Sequence, residues 1–283
     1  MLRLPKFFHS FGTRDEDIQG RPPVLANSIP KSGTHLLLQV AEGLPDRVNY
    51  GEWVASMTGS IQFRECPVDD IRRFIRRLVP GEIVRGHLYF DARYLDDIAS
   101  RNVVNYFIYR DPRDIALSST HYLRTMNPWH RLHKYFRSTK SLAEALELNI
   151  RGLQPAVPGI VFPDIGKRLA NYQGWLGNGN CFAIRYEELL AESRLDGLRK
   201  MAEFYAARSS LPFDIEACAQ NMMASIAPEQ SHTFRSGKKA GWRREFTRQH
   251  RELFHEVAGQ LLIDWGYETD ASWINVSEAA MQS

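Results

Sequence analysis

Residues 22–38 read PPVLANSIPKSGTHLLL, a short apolar run, a polar turn and a second apolar run. This pattern predicts a strand, a tight turn and the first turns of a helix. Such a turn presents unpaired backbone N–H groups and the positive end of a helix dipole, which together favour an anion such as phosphate or sulfate. Lys31 adds a mobile positive charge, and Gly33 lets a ligand approach the backbone closely. Ser32 and Thr34 add hydroxyl groups.

The turn differs from the ATP-binding loop of kinases and nucleotide hydrolases. That loop follows the pattern GxxxxGK[ST], which would require glycine at positions 25 and 30, where this chain has Leu25 and Pro30. An ATP loop is therefore a poor match. A capped surface turn with one solvated lysine is the alternative interpretation of these residues.

A second strand and helix are predicted from residues 106–123, YFIYRDPRDIALSSTHYL. Arg110 falls at the carboxyl end of the strand, where the ligands of open α/β sheets bind. Asp111 is placed to cap a helix that begins at Pro112, and Ser118 falls about two turns into that helix. We therefore expect Arg110 and Ser118 to face one anion.

Two other interpretations of this motif stay open. Arg110 and Arg113 are spaced to pair with Asp111 and Asp114 in a surface ion-pair cluster. An apolar strand that ends in RD also resembles a Walker B strand, in which Asp111 would hold magnesium. This second interpretation is the kinase-like alternative.

A third motif lies in residues 233–247, TFRSGKKAGWRREFT, where basic residues surround two glycines and a tryptophan. A basic loop of this kind can fold over a ligand with several negative charges, and Trp242 can anchor it. A solvated basic loop is the alternative. The whole chain has 36 Lys and Arg against 33 Asp and Glu, and this excess of +3 predicts no nucleic-acid partner.

The remaining pattern predicts a single α/β domain with a central parallel sheet flanked by helices and a P-loop-like strand–loop–helix at its N-terminal side. Strands and helices alternate, and NVVNYFIYR (102–110) is a continuous apolar strand of the kind buried on both faces. DDIRRFIRRL (69–78) predicts an amphipathic helix whose arginines face solvent. The predicted bounds of the domain are 22–269, with a flexible segment 1–21 before it and a tail 270–283 after it.

The predicted compartment is the cytoplasm. Three cysteines, odd in number and far apart, argue against a disulfide framework and fit a reducing environment. No stretch approaches the roughly 18–20 apolar residues of a membrane span, and the N terminus has no apolar signal region.

The three motifs, in this order, resemble the cytosolic-type sulfotransferase family. The matching features are a strand–PKSGT–helix, a strand–RDPRDxxxS–helix and a basic RxG…GW loop, and the resemblance spans about residues 24–265. Members of this family use 3'-phosphoadenosine 5'-phosphosulfate (PAPS) as co-substrate and release 3'-phosphoadenosine 5'-phosphate (PAP). The joint match is far more specific than any one motif.

The resemblance implies binding residues for each part of the donor. The 5'-phosphosulfate is assigned to Lys31, Ser32, Gly33, Thr34 and the backbone of His35. The 3'-phosphate is assigned to Arg110, Ser118, Arg235, Ser236 and Gly237. The adenine is assigned to Tyr186 in the segment IRYEEL (184–189).

The resemblance also implies a histidine base. Family members carry a K-x-H-L-P-like stretch some two dozen residues before the 3'-phosphate arginine, and VRGHLYF (84–90) supplies His87, with Arg85 in place of the lysine. A neutral imidazole with a pKa near 6.5 can take a proton from an acceptor hydroxyl. We therefore predict His87, Lys31 and Ser118 as the catalytic residues.

The implied reaction is in-line sulfuryl transfer, in which Lys31 neutralises charge on the leaving oxygen. A sulfuryl group carries less negative charge than a phosphoryl group, so no metal is expected. Carbohydrate sulfotransferases of related fold use a glutamate base, which makes Glu42 or Glu52 the alternative to His87. His35 and Leu36 stand where the family often has a threonine and an adenine-stacking tryptophan, and the second glycine of the third motif is displaced by one position.

The acceptor is predicted to be a small molecule, a glycan or a lipid that carries a hydroxyl group or, as the alternative, an amine, and a homodimer is compatible with the family. An insertion at about residues 124–160 is expected to shape the acceptor site. Its aromatic lining is expected from Tyr89, Phe90, Tyr94, His121, Tyr122, Trp129, Tyr135 and Phe136. The competing functions are a P-loop-like ATP-dependent kinase or nucleotide hydrolase, and a catalytically silent nucleotide-binding protein.

Overall fold

A computed structural model describes residue 6, residues 14–227 and residues 240–276 of this 283-residue chain. The described residues fall into two compact units, which we call the sheet unit and the helical unit. The sheet unit is drawn from Met1–Ser56, Cys66–Tyr109 and Gly174–Gly237. The helical unit is drawn from Met57–Glu65, Arg110–Gln173 and Lys238–Ser283.

The sheet unit is built on one parallel sheet. Its strands are β1 (Val24–Ser28), β2 (Trp53–Ala55), β3 (Ile83–His87), β4 (Val104–Tyr109) and β5 (Cys181–Arg185). They lie in the order β2-β3-β1-β4-β5, and every pairing is parallel. Each residue of β1 is buried, as expected for the central strand of a sheet covered on both faces. The predicted α/β fold with a central parallel sheet is confirmed.

The described residues also form α-helices, numbered in chain order. They are α1 (Asp15–Gly20), α2 (Thr34–Glu42), α3 (Val68–Arg76), α4 (Arg93–Ser100), α5 (Pro112–His121), α6 (His133–Arg137), α7 (Leu142–Arg151), α8 (Ile165–Ala170), α9 (Tyr186–Leu189), α10 (Arg194–Ala206), α11 (Ile215–Ala224), α12 (Trp242–Glu245) and α13 (Arg248–Asp264). A π-helical turn (Tyr122–Met126) extends α5, and short 3₁₀ turns form at Gln173–Trp175 and Ser272–Asn275.

Parallel pairing brings the PKSGT turn and His87 to one edge of the sheet. Asn27 near the end of β1 lies in register with Gly86 near the end of β3. The next residue of β1, Ser28, lies in register with Ile108 of β4. Because the carboxyl ends of parallel strands point the same way, His87 ends β3 beside the point where β1 turns toward α2.

The core of the sheet unit explains why the apolar run after the turn becomes a helix. Leu36, Leu37, Val40 and Ala41 fall on one side of α2 and are buried. They join an apolar cluster with side chains of β1, β4, α10 and α11. Burial of each such aliphatic side chain contributes roughly 1.5–3 kcal/mol to the free energy of folding. This packing holds α2 against the sheet, with the first turn of the helix at the carboxyl end of β1.

The arginine face of α3 is only partly solvated. Arg72 and Arg76 both donate to Asp97 of α4, at 2.7 and 3.1 Å, and Asp97 is 5% exposed. Arg73 instead pairs with the exposed Asp70. Two of the arginines that we expected to face solvent therefore bind α3 to α4.

The segment predicted as an insertion has an apolar core of its own. Buried side chains from irregular positions form it: Leu123, Leu132, Phe136, Ala145, Leu153, Ile160 and Phe162. They come from a π-helical turn, two helices and loops, so their spacing follows neither a helical nor a strand period. Asn149 of α7 donates to Ala116 O at 2.8 Å and to Thr120 Oγ1 at 2.9 Å, which ties α7 to α5.

Two further expectations concern the membrane and the cysteines. Within residues 14–227 and 240–276, no helix has the length and apolar character that crossing a bilayer requires. The three cysteines are free thiols, as predicted, with Cys181 and Cys218 buried and Cys66 half-buried.

Candidate functional site

The PKSGT turn has a backbone shape that few residues adopt without cost. Gly33 has a φ of +109° and Lys31 has a φ of +72°. A left-handed conformation costs a residue with a side chain about 1–2 kcal/mol, and strain of this kind concentrates at functional sites. The first hydrogen bond of α2 runs from Leu37 N to Gly33 O at 3.0 Å, so the preceding N–H groups lie at the open end of the helix.

Ser32 fastens this turn to the sheet. The residue is fully buried, and its Oγ lies 2.7 Å from Ile29 O and 2.9 Å from Ile108 O. Its backbone nitrogen donates to Ile29 O at 3.1 Å. The hydroxyl and the backbone N–H of Ser32 therefore both donate hydrogen bonds within the protein. The contact of Ser32 with the 5'-phosphosulfate stays a prediction.

Ser28 connects the turn with His87. Its hydroxyl lies 3.1 Å from Gly86 O, 2.8 Å from Thr34 Oγ1 and 3.0 Å from His87 Nδ1. The single hydroxyl proton of Ser28 can go either to Gly86 O, in which case the Thr34 hydroxyl donates to Ser28, or to Thr34 Oγ1. Sequence reasoning missed Ser28, although two polar residues (Asn27 and Ser28) at the end of an apolar strand were the available signal.

His87 is held in one tautomer. Its Nδ1 lies 2.8 Å from Ser28 O, which can only accept, so Nδ1 carries the proton. In the neutral ring Nε2 is then the nitrogen with a free electron pair, as a general base requires. The Trp53 ring and the imidazole pack in a T-shaped arrangement, with 4.5 Å between ring centroids.

The electrostatic surroundings keep His87 neutral. Burial is the main cause that lowers the pKa of His87 to about 4. The hydrogen bond to Ser28 raises this pKa, whereas the nearby charges of Arg85, His35 and Lys31 lower it further. The residue as a whole still keeps part of its surface accessible.

The alternative bases occupy less suitable places. Glu42 ends α2, eight residues after Thr34 and thus about 12 Å along the helix from the turn. Its carboxylate is exposed and accepts from Asn49 at 2.7 Å. Glu52 pairs with Lys6 at 2.7 Å. The geometry therefore favours His87 as the base.

Tyr186 lies directly against the turn. It is the first residue of α9 and is 7% exposed, and it belongs to the apolar cluster of the sheet unit. A Cβ built on Gly33 would lie 2.6 Å from Tyr186 Cδ2 and 3.1 Å from Ile108 Cδ1. Tyr186 thus packs in the core and also borders the predicted donor site.

Replacement of Gly33 by alanine is expected to destabilise the protein by about 2–4 kcal/mol, since the new methyl group adds a clash to the strain of a positive φ. Urea unfolding measures this change. Gly177→Ala is a matched control, because Gly177 has a φ of +72° but a Cβ added there would meet no described atom within 4 Å. We expect it to cost only about 1–2 kcal/mol, and equal losses in the two variants would show that Tyr186 does not press on the turn.

The second motif begins the helical unit. Asp111 caps α5 by accepting from Arg113 N at 2.9 Å, and Pro112 is the first helical residue, as predicted. Arg110 donates to Asp114 at 3.1 Å, and its side chain is 14% exposed. Ser118 lies on α5 and is half-buried. The ion pairs of this motif exist, but they are buried and do not form a surface cluster.

The carboxylate of Asp111 is occupied by donors of the protein. Oδ1 accepts from Arg113 Nε at 3.0 Å, and Oδ2 accepts from Arg113 Nη2 at 2.8 Å and from Trp242 Nε1 at 3.1 Å. A carboxylate surrounded by a guanidinium and an indole N–H is poorly suited to hold magnesium. This arrangement counts against the kinase-like alternative.

The third motif is described from Ala240 onward. Arg235, Ser236 and Gly237 lie outside the described residues, so their assignment stays a prediction. Trp242 is 2% exposed, and the bond to Asp111 makes it the anchor that the sequence predicts. Its ring also packs on Arg113 and Trp273, with the Arg113 guanidinium carbon 3.8 Å from the Trp242 ring centroid.

Comparisons with known proteins point to one family. The family model described as "Sulfotransferase domain" matches residues 21–266. A search of the curated proteins gives no match.

Solved structures share the fold at low sequence identity. Mouse sulfotransferase SULT7A1, complexed with PAP, is 21% identical, with a TM-score of 0.57 over 93% of this chain and 92% of that chain. Retinol dehydratase in complex with androsterone and inactive cofactor PAP is 16% identical, with a TM-score of 0.55 over 91% of this chain and 85% of that chain. Retinol dehydratase with retinol and PAP is 14% identical, with a TM-score of 0.54 over 91% and 86%.

The predicted resemblance is confirmed, because the family model covers most of the chain and the fold agrees with that of solved sulfotransferases. The chain belongs to the sulfotransferase family and is a PAPS-dependent sulfotransferase.

Proposed function

We propose that this protein transfers the sulfuryl group of PAPS to the hydroxyl group of a small apolar acceptor, with His87 as the base. The observation that carries the proposal is the set of hydrogen bonds by which Ser28 connects Thr34 of the PKSGT turn to His87. There a neutral histidine with a fixed tautomer and the Lys31 turn share one hydrogen-bond network at the sheet edge.

Each end of the sulfuryl donor PAPS has protein groups suited to bind it. The PKSGT turn offers backbone N–H groups and the Lys31 charge to the 5'-phosphosulfate. Arg110 and Ser118, with residues 235–237, bind the 3'-phosphate, and Tyr186 contacts the adenine. The PAP in the related structures supports this choice of donor.

The step is an in-line displacement at sulfur. Nε2 of His87 takes the proton of the acceptor hydroxyl while the oxygen of that hydroxyl forms the new bond to sulfur. The bond between sulfur and the 5'-phosphate oxygen breaks, and its electron pair stays on that oxygen as PAP leaves. Lys31 and the N–H groups of the turn stabilise this developing charge, so the proposal needs no metal.

The acceptor class follows from the base and from the relatives. A neutral imidazole suits removal of a proton from a hydroxyl group, and the molecules named in the retinol dehydratase structures, retinol and androsterone, are apolar alcohols. Of the aromatic residues predicted to line the acceptor site, Tyr94 and Phe136 are fully buried in core positions. Trp129, in contrast, is 80% exposed.

The choice of donor predicts a binding result. In calorimetry, PAP is expected to bind at least about tenfold more tightly than ATP, because the site binds a 3'-phosphate that ATP lacks. Added EDTA is expected to leave PAP binding unchanged. Tight ATP binding that requires magnesium would contradict the proposal and support the kinase-like alternative.

Turnover separates an active enzyme from a silent binding protein. Mass spectrometry of a panel of apolar alcohols, incubated with PAPS and the protein, is expected to show a sulfated product. Tight PAP binding without a sulfated product from a phenol, a sterol or a long-chain alcohol would favour the silent nucleotide-binding protein. Incubation of PAPS and the alcohols without the protein is the blank for uncatalysed reaction.

A further inference from the structure

Several large apolar side chains of the helical unit are exposed to solvent. Trp129 is 80% exposed, Ile61 is 73% exposed and Val161 is 61% exposed, and Met126 is also exposed. We call these four residues the apolar patch. A single exposed apolar residue is common in proteins, but several that lie together mark a surface that meets another molecule.

Hydrogen bonds hold the segments that carry Ile61 and Trp129 side by side. The backbone N–H of Arg131 donates to Ser60 O at 2.9 Å, and its Nη1 donates to Gln62 O at 2.9 Å. Arg131 thus binds the residue on each side of Ile61, and Trp129 precedes Arg131 by only two positions. The two exposed side chains are therefore neighbours on the surface of the helical unit.

Aromatic rings beneath the apolar patch connect its segments. Phe63 packs on His130, with 5.1 Å between ring centroids, and on Phe162, with 6.5 Å. His130 and Phe162 are buried, and they directly follow Trp129 and Val161 in the chain. Each of these exposed side chains is therefore next to a buried ring of the same aromatic cluster, which places the members of the patch in one region.

The chain around the apolar patch is strongly basic. Residues 115–143, which include Trp129, contain no Asp or Glu and five cationic residues: Arg124, Arg131, Lys134, Arg137 and Lys140. The loop 57–65 has one cation and one anion, and residues 152–163 have neither. Because the excess of Lys and Arg over the whole chain is only +3, the part outside 115–143 carries more acidic than basic residues. The positive charge of this protein is thus concentrated beside the patch.

Neighbouring carboxylates do not neutralise these cations. In the part of the chain that the structure describes, none of the five forms an ion pair. Lys134, Arg137 and Lys140 are exposed, and Lys134 Nζ lies 4.9 Å from the centroid of the Tyr135 ring. Their charge is therefore available to an anionic partner in solution.

The combination of residues favours a lipid surface over a protein as that partner. Tryptophan is enriched at the interface between a membrane and water, and nearby Lys and Arg are attracted to anionic lipid headgroups. Protein interfaces bury their central tryptophan in a well-packed pocket. A fluid interface needs no matching pocket, which suits a ring as exposed as that of Trp129.

We propose that the apolar patch and the five cations of residues 115–143 form a docking surface for an anionic lipid membrane, with Trp129 as the residue that inserts among the headgroups. The surface binds a membrane from one side and does not span it. This inference goes beyond the proposed function and does not depend on it, because neither PAPS nor His87 takes part.

The test is sedimentation of the full chain with lipid vesicles in the absence of PAPS. Vesicles of phosphatidylcholine with about one third phosphatidylserine are expected to bind at least about tenfold more tightly than vesicles of phosphatidylcholine alone. High salt is expected to weaken this binding, since it screens the attraction between the cations and the lipid. Equal affinity for the two kinds of vesicle would overturn the proposal.

Two variants separate the apolar contribution from the charge. Trp129→Ser is expected to lower the affinity for the phosphatidylserine vesicles by about tenfold or more, and Lys134→Gln by about fivefold. Both side chains are exposed, so the thermal unfolding temperature is expected to stay at the wild-type value. Vesicles should also shift the tryptophan emission of the wild-type protein to shorter wavelength, and this shift should be absent in Trp129→Ser.

Leu211→Ser and Lys200→Gln are the matched controls. Leu211 is 51% exposed and Lys200 is exposed, but both belong to the sheet unit. Both variants are expected to bind the phosphatidylserine vesicles as the wild-type protein does. Losses equal to those of Trp129→Ser and Lys134→Gln would show that binding is not localised, which would overturn the proposal.

Other occupants of the surface give different results. Binding of polyglutamate but not of phosphatidylserine vesicles, with loss in both Trp129→Ser and Lys134→Gln, would overturn the proposal in favour of an acidic protein partner. Self-association that Trp129→Ser abolishes, without vesicle binding, would overturn it in favour of a second copy of this chain. Absence of sulfated products contradicts only the proposed function, because vesicle binding is measured without PAPS.

Discussion

Replacement of His87 by alanine is expected to lower kcat/KM by about 10²–10⁴-fold, the range over which a positioned general base contributes. The reason is geometric: the Ser28 carbonyl fixes the proton on Nδ1, so Nε2 is ready to accept. PAP affinity should change little, because His87 acts on the acceptor. Free imidazole added to His87→Ala is expected to restore part of the activity.

The pH profile gives a second readout for the same residue. Burial lowers the pKa of His87 to about 4, so the neutral, active form persists as the pH falls. We expect kcat/KM to stay level from neutral pH down to about 5 and to fall through about pH 4. A fall centred near pH 6.5, the ordinary value for histidine, would show that the base is solvated or is another group.

His130→Asn is the matched control for that profile. Burial also lowers the pKa of His130 to about 4, but this residue lies in the helical unit and packs on Phe63 and Tyr122. In His130→Asn, kcat/KM is expected to fall through the same acidic pH range as in the wild-type protein. Circular dichroism at each pH separates loss of activity from loss of fold.

The sequence predicted most of the elements that position the site. The continuous apolar strand at 102–110 indicated a parallel sheet, and the cap at Asp111 with Pro112 indicated the start of α5. These signals are local, because burial of a strand on both faces and helix capping each require particular residue types within a few consecutive positions. The three-residue edge strand β2 has too short a pattern to detect.

The contacts that sequence reasoning missed join residues far apart in the chain. Ser28 meets His87 across 59 residues, and Asp114 meets Ala240 across 126. No spacing rule links such pairs, since the sheet order and the packing on α5 decide which side chains meet. The apolar core of residues 123–162 was missed for the same reason, because its members come from segments without a common period.

Replacement of Lys31 by methionine is expected to lower kcat by about 10²–10³-fold, the typical loss when one donor to a developing oxyanion is removed. Methionine keeps most of the length of the side chain but lacks the charge that would neutralise the leaving oxygen. PAP binding is expected to weaken less than kcat falls, since the charge on that oxygen is greatest while the bond to sulfur breaks. Steady-state kinetics with PAPS and calorimetry with PAP measure the two effects.

The backbone of Lys31 allows charge and conformation to be separated. Lys31→Gly also removes the charge, but glycine adopts the φ of +72° without strain, so we expect it to unfold at a temperature no lower than Lys31→Met. Both variants should lose activity alike if the charge matters. The exposed Lys167, paired with Asp164 at 2.9 Å, is the control, and Lys167→Met should keep wild-type kcat. Loss of PAP affinity with kcat unchanged in both Lys31 variants would mean that this lysine binds the donor without assisting the transfer.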